Sequence, residues 1–189
     1  MRKILFFAYP QYADFEIGHP LFFLRKAGKA EITTVTVDGK PVKSIGGLVV
    51  TPQAAIDEVK VSDYDLVLIS GGDGVHEVMD KESVQIMLRE ANEKGVPIAA
   101  ICASAVLLGK AGLLDGKKFT CTPGTYNQFG DIFEGAEYSG SDIEVGDNWI
   151  TAKGTAFPQF TVAVGHMLNI WRDEDHAEFA LKFSRGEIG

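Results

Sequence analysis

Segments rich in strand-forming residues alternate along the chain with segments of helical spacing, and this alternation predicts the secondary structure. Four segments are strand-like, and the first of them is a continuous apolar run, as expected for a strand that is buried on both faces of a sheet. They are ILFFAY (4–9), EITTVTV (31–37), DYDLVLIS (63–70) and PIAAIC (97–102).

Apolar residues three and four positions apart predict helices between these strands. Helices are expected at 14–27, 82–94, 105–114, 156–171 and 173–184, and Gly28 and Gly95 end the first two. The inner face predicted for the first helix consists of Phe15, Leu21, Phe22 and Leu24. The inner face predicted for the second helix consists of Val84, Met87, Leu88 and Ala91.

Two stretches do not fit the alternation of long strands and helices. SIGGLVVTP (44–52) predicts a short hairpin around Gly46 and Gly47, and residues 117–152 predict several short β segments. The alternation of buried strands with helices predicts an α/β fold, in which helices cover both faces of an open, mostly parallel sheet. Ligands bind such sheets beyond the carboxyl ends of the strands.

Composition narrows the class of protein. The chain has 189 residues, of which 46% are hydrophobic and 23% charged, and these values suit one globular domain over 1–189. The net charge is −8 and the basic residues are scattered, which argues against nucleic acid as a partner. Apolar runs are too short for a membrane span or a signal peptide, so we expect a cytoplasmic protein that does not bind membranes. Neither a metal nor a cofactor is expected, because the two cysteines lack zinc-site spacing.

Cys102 lies where a core strand ends and is followed by the small residues Ala103, Ser104 and Ala105. Small neighbours allow a sharp strand-to-helix turn that exposes the central side chain. The N-terminus of the next helix would then favour the reactive thiolate form of Cys102. The alternative is an inert core cysteine, since free cysteine is among the most buried residue types.

SGGDG (70–74) follows another predicted strand. Its functional interpretation is that the backbone N–H of Gly72 forms an oxyanion site together with the N–H of Ala103. Its structural interpretation is a tight turn. It matches neither a dinucleotide-binding nor a phosphate-loop motif, so nucleotide binding finds no support.

Four stretches together resemble the ThiJ/PfpI family, which is related to the class I glutamine amidotransferases. They are ILFFAYPQYADFEIGHPLFFLRKAG, DYDLVLISGGDG, PIAAICASAVLLGKAGLL and ITAKGTA. The resemblance implies a single ThiJ/PfpI-like domain of flavodoxin-like fold. It also implies a nucleophilic, oxidation-prone cysteine at Cys102, a glutamate that hydrogen-bonds this cysteine at Glu16, and the glycine after the third strand at Gly72.

A thiolate at Cys102 requires Glu16 to stay protonated, because two adjacent anions repel each other, and burial raises a carboxyl pKa enough to permit this. The alternative is a solvated glutamate in the first turn of a helix. The TAKGTA stretch resembles a family segment that lines the cysteine pocket, where Lys153 is a candidate for holding an anion.

The histidines depart from the family pattern. Peptidase-like members carry a histidine directly after the cysteine, where this chain has Ala103. Other members carry one in a His-Pro pair, where this chain has Thr122 before Pro123. His19, one helical turn from Glu16, and His76, just after SGGDG, are candidate auxiliary residues. His19 could equally face a dimer partner, because the resemblance implies a homodimer that pairs through the first helix.

Three functions remain open from the sequence. The first is a cysteine-dependent enzyme that acts on a small carbonyl or amide electrophile, with glyoxalase-, deglycase- or amidase-like activity carried by Cys102 and Glu16. The second is a non-enzymatic redox sensor or stress protein in which Cys102 oxidises to a sulfinic acid. The third is a glutamine amidotransferase-like or peptidase-like hydrolase, which needs the histidine that this chain lacks at both positions.

Overall fold

The computed structural model describes residues 1–188, and its main feature is one sheet of seven strands. The strands of the chain are β1 (Lys3–Phe7), β2 (Glu31–Thr36), β3 (Val42–Lys43), β4 (Val49–Val50), β5 (Ala54–Ala55), β6 (Leu66–Ile69), β7 (Ile98–Ile101), β8 (Lys118–Phe119), β9 (Glu137–Tyr138), β10 (Ile143–Val145) and β11 (Trp149–Ala152). The order in the main sheet is β10-β11-β7-β6-β1-β2-β5.

All neighbouring strands of the main sheet are parallel except β10, which runs antiparallel to β11 at one edge. The central strands are buried along almost their whole length, and Leu66–Ile69 is fully excluded from solvent. Because β1, β6 and β7 are parallel and adjacent, their carboxyl ends lie side by side at one end of the sheet. The site described below lies at this carboxyl end.

Seven α-helices connect and cover the strands. They are α1 (Asp14–Lys26), α2 (Val75–Val78), α3 (Glu82–Glu93), α4 (Ala105–Lys110), α5 (Pro123–Phe129), α6 (Phe157–Met167) and α7 (Glu174–Ser184). Five of them pack against one another, α6 against α1 and α7, and α3 against α4. The expected flavodoxin-like α/β fold with a mostly parallel sheet is confirmed.

The predicted elements agree with the structure in most places. The hairpin around Gly46 and Gly47 is present as β3 and β4, and the predicted inner face of α3 is buried. The helices predicted at 105–114 and 156–171 end earlier, at Lys110 and Met167. The stretch 117–152 holds the expected short strands and also α5, which was not predicted.

The predicted inner face of α1 is wrong at Phe15 and Phe22, whose side chains are exposed. The residues that α1 buries are instead Glu16, Ile17, Pro20, Phe23 and Leu24. The reason is that the helix turns a carboxyl group, not an aromatic ring, towards the strand ends. None of the helices within residues 1–188 combines the length and the apolar character needed to cross a membrane.

Candidate active site

Cys102 lies immediately after β7 with a left-handed backbone conformation, φ +60°. Residues other than glycine rarely adopt this region, and those that do cluster at functional sites. A single 3₁₀ turn, Cys102–Ser104, then leads into α4. The Ser104 hydroxyl fixes this turn by donating to the carbonyl oxygen of Ile101 at 2.7 Å. The turn leaves the Cys102 side chain half-buried at the wall of a cavity.

Glu16, in the first turn of α1, has only 2% of its surface exposed. Its Oε2 accepts a hydrogen bond from the backbone N–H of Gly71 at 2.7 Å and lies 3.5 Å from the Ser70 hydroxyl. The N–H of Ala13 donates to the carbonyl oxygen of Gly71 at 2.8 Å. These bonds attach the start of α1 to the end of β6, so the carboxyl group is held beside Cys102.

Two glycines make room for this pair. A Cβ atom at Gly71 would lie 2.6 Å from the Cys102 Cβ and 2.7 Å from Glu16 Oε2. A Cβ atom at Gly154 would lie 2.5 Å from Glu16 Oε1 and 3.1 Å from Cys102 Sγ. Both glycines are therefore required by close packing around the two functional groups.

Thr122 occupies the position where the resemblance places a histidine in some members. Its Oγ1 lies 3.1 Å from Cys102 Sγ and accepts a hydrogen bond from the N–H of Gly154 at 3.3 Å. Because that N–H occupies an acceptor site of the hydroxyl, the hydroxyl proton is available for donation to the sulfur. A threonine can stabilise a charged or oxidised sulfur in this way, but it cannot act as the general base that a histidine provides.

Burial dominates the electrostatics of the pair. It raises the pKa of Glu16 to about 7, against the opposing hydrogen bonds from Cys102 and from the N–H of Gly71. Burial and then the negative charge of Glu16 raise the pKa of the Cys102 thiol to about 11, although hydrogen bonding with Thr122 lowers it. At neutral pH the proton therefore rests on sulfur, in contrast to the expected thiolate, and Glu16 is the group that can accept it.

The cavity at the carboxyl end of the central strands has a volume of about 690 Å³. The candidate residues that line it are Cys102, Glu16, Gly72, Ala103, His76 and Thr122. Gly72 has φ +144°, and a side chain there would collide with the backbone of Gln11 and Tyr12. Glycine is therefore required at this position by the close approach of the Gln11–Tyr12 backbone, with which Gly72 forms a β-bridge. The structure thus brings six of the eight candidates to one cavity, all except His19 and Lys153.

His19 does not lie among the residues that line the cavity. Its ring packs against Phe157 and Phe183, with centroids 5.2 and 6.1 Å apart, and burial lowers its pKa. His76 does line the cavity, and its Nδ1 lies 2.8 Å from the carbonyl oxygen of Asp73. Lys153 is paired with Asp142 at 3.4 Å and does not line the cavity either.

Sequence reasoning missed three contributors: Ser70, Gly71 and Gly154. The SGGDG motif contains the first two, but its only signal is a glycine-rich turn, which does not say which glycine contacts the glutamate. Within residues 1–188, histidine, cysteine, aspartate and glutamate side chains form no group of three or more that could hold a metal ion.

A left-handed cysteine at a strand end, with a buried glutamate beside it in a parallel α/β sheet, defines a class of proteins with a nucleophile elbow. The DJ-1/PfpI family model matches residues 2–166, and the chain belongs to this family. The ThiJ/PfpI resemblance is thereby confirmed.

Relatives and solved structures agree with this assignment. An uncharacterized protease, YoaZ, of Bacillus subtilis is 26% identical over 183 residues, which cover 90% of this chain and 85% of the relative. A deglycase of Pyrococcus horikoshii is 26% identical and covers 80% of this chain, with 89% of its own length matched. The crystal structure of a DJ-1 superfamily protein of Agrobacterium tumefaciens superimposes with a TM-score of 0.87 at 27% identity over 99% of both chains.

The close packing around Gly154 predicts the effect of a single methyl group. Gly154→Ala should displace Glu16 or Cys102 and change the rate of Cys102 alkylation by iodoacetamide at least fivefold, with the fold retained by circular dichroism. Gly18→Ala is the matched control, because a Cβ there meets nothing within 4 Å and an alanine favours helix α1. Equal alkylation rates in wild type, Gly154→Ala and Gly18→Ala would contradict this packing.

The raised pKa values predict the pH dependence of alkylation. In wild type the rate should rise as the pair loses its first proton near pH 7, because the thiol proton can then pass to Glu16. In Glu16→Gln this step should move above pH 7, because only the buried thiol titrates. It should stay below pH 11, because no Glu16 charge opposes thiolate formation. Mass spectrometry assigns the modified cysteine. A single step near pH 8.5, the same in both proteins, would contradict the coupling.

Proposed function

We propose that the protein is a cysteine-dependent enzyme that acts on small carbonyl or amide electrophiles. The observation that supports this most is the Glu16 carboxyl group, buried and oriented by the N–H of Gly71 beside the half-buried thiol of Cys102 in a cavity wall. An acid with its pKa near the working pH is well suited to move a proton in both directions. The deglycase and protease names of the relatives agree with chemistry at a carbonyl carbon.

In the proposed reaction the Glu16 carboxylate accepts the thiol proton while Cys102 Sγ attacks the carbonyl carbon. The π electrons move to the carbonyl oxygen, which the N–H groups of Gly72 and Ala103 can stabilise from the cavity wall. Glu16 then returns the proton to that oxygen, giving a hemithioacetal from an aldehyde. With an amide, Glu16 protonates the nitrogen instead, the oxyanion re-forms the carbonyl and the carbon–nitrogen bond breaks. The amine leaves, and water hydrolyses the acyl thioester that remains on Cys102.

With a 2-oxoaldehyde the hemithioacetal can continue to a hydroxy acid without any external oxidant. Glu16 removes the proton of the former aldehyde carbon, which gives an enediolate, and this proton is returned to the neighbouring carbon. The hydroxyl proton on the former aldehyde carbon passes to the oxygen of the neighbouring carbon, so that the first oxygen becomes the carbonyl of the product. The product is a 2-hydroxyacyl thioester on Cys102. Water then cleaves the carbon–sulfur bond and releases the 2-hydroxy acid and the free thiol.

Thr122 supports this reaction over a histidine-dependent peptidase or glutaminase. The hydroxyl group lies against the sulfur where a histidine base would be needed, and Ala103 fills the other usual histidine position. Proton transfer is therefore assigned to the carboxyl group of Glu16.

Disappearance of methylglyoxal and formation of lactate test the proposal. Wild type should convert the aldehyde, Cys102→Ser should lose at least a hundredfold in kcat/KM, and Glu16→Gln at least tenfold, because both the nucleophile and the proton acceptor are needed. Cys121→Ala is the matched control, since Cys121 is the other cysteine and is fully buried. Equal rates in all four proteins would refute the proposal.

A second candidate function, a redox sensor, is favoured by the donors around the sulfur. The Thr122 hydroxyl and a protonated Glu16 can both donate to the oxygens of a sulfinate at Cys102. Two equivalents of hydrogen peroxide would each transfer one oxygen to the sulfur and leave as water. The exposed rings of Phe22 and Phe183 stack at an interplanar angle of 6° and form an apolar face. A homodimer that responds to the oxidation of Cys102 could form through this face.

Mild peroxide treatment followed by mass spectrometry tests the sensor. Cys102 should gain two oxygen atoms and stop there in wild type, because the donors stabilise the sulfinate. Thr122→Val should shift the product towards the sulfonic acid, since the valine has a similar shape and no hydroxyl. Preferential oxidation of Cys121, which is fully buried, would count against a sensor at Cys102.

A further inference from the structure

Two large apolar side chains, Phe15 and Ile45, line the cavity while remaining largely exposed. Phe15 is 58% exposed and Ile45 is 52% exposed. They come from different parts of the chain, α1 and the turn between β3 and β4. The Phe15 ring packs edge-on against Phe157 at a centroid distance of 5.9 Å, and most of its surface still faces solvent. Since apolar surface is stabilised by removal from water, the exposed parts of Phe15 and Ile45 offer a contact to a ligand.

The backbone around Ile45 is fixed although its side chain is not packed. The N–H of Ile45 donates to the carbonyl oxygen of Tyr12 at 2.9 Å. The hydroxyl of Ser44 donates to Oδ2 of Asp14 at 2.5 Å, and Asp14 begins α1 directly before Phe15. These bonds hold the Ile45 turn and the start of α1 together, so both apolar side chains have set positions beside the cavity.

The cavity wall carries acidic side chains. Carboxyl groups of Glu16 and Asp73 contribute to it, and no lysine or arginine lines it within residues 1–188. The nearest lysine in the TAKGTA stretch, Lys153, is paired with Asp142 outside the wall. An anionic substrate would therefore meet repulsion near the sulfur, with no cation to offset it.

The cavity volume of about 690 Å³ lies within the range of sites for drug-sized ligands. A three-carbon aldehyde would fill only a small part of this volume. A substrate with an apolar group beside its carbonyl could occupy more of the volume and contact Phe15 and Ile45, which line it.

We infer that the site takes an uncharged carbonyl compound that carries an apolar group of about the size of a phenyl ring, with Phe15 and Ile45 as specificity-determining residues. The inference rests on the proposed function for turnover, but the preference itself is a property of binding at Cys102. This preference favours carbonyl compounds with an apolar group over small aldehydes and over anionic carbonyl compounds.

Matched 2-oxoaldehydes test the inference by initial rates. The kcat/KM of phenylglyoxal should exceed that of methylglyoxal at least tenfold, and 4-carboxyphenylglyoxal should fall at least tenfold below phenylglyoxal. Phe15→Ala and Ile45→Ala should each lower the value for phenylglyoxal about fivefold and that for methylglyoxal less than twofold. Phe179→Ala, an exposed ring on α7 away from this cavity, is the matched control and should change neither.

Alkylation of Cys102 separates a failure of the inference from a failure of the proposed function. Each rate is divided by that of the same reagent with N-acetylcysteine. The normalised rate of 2-chloroacetophenone should exceed that of chloroacetone tenfold, and that of iodoacetamide should exceed that of iodoacetate tenfold. This preference without aldehyde turnover would refute the enzyme and support the binding site. Equal normalised rates, or rates unaffected by Phe15→Ala and Ile45→Ala, would overturn the inference whether or not the aldehydes are consumed.

Discussion

The burial of one carboxyl group beside one thiol is the constraint on which the rest of the site depends. Glu16 is removed from water at the ends of β6 and β7, and its carboxyl group accepts a hydrogen bond from the N–H of Gly71. Two acidic groups in such surroundings cannot both ionise near neutral pH, so they share a proton. The chemistry of the cavity follows from where that proton lies.

Thr122 shows how the same scaffold can change its chemistry through one position. A histidine there would compete with Glu16 for the thiol proton, whereas a threonine leaves the carboxyl group as the single acceptor and adds a hydroxyl donor to the sulfur. Because the hydroxyl is anchored by the N–H of Gly154, its direction is set by the backbone. The site thus presents one carboxyl group and one hydroxyl group to the sulfur.

The sequence predicted the strands well, because runs such as LVLI and IAAI are apolar at every position and are buried on both faces. Helix α5 was missed since PGTYNQF carries a polar pattern typical of turns. The inner face of α1 was assigned from apolarity, which cannot reveal that Glu16 is buried and Phe15 exposed. Glu16 and Thr122 came from family resemblance, and Gly71 and Gly154 could not be found because a missing side chain leaves no chemical signal.

The left-handed backbone at residue 102 also limits which side chains this turn can carry. A β-branched side chain such as threonine is strongly disfavoured at φ +60°, because its second Cβ substituent meets the adjacent carbonyl oxygen. Serine, with one substituent on Cβ, fits the same turn as cysteine. An alcohol can therefore replace the thiol at this turn as serine, whereas threonine does not fit the backbone conformation.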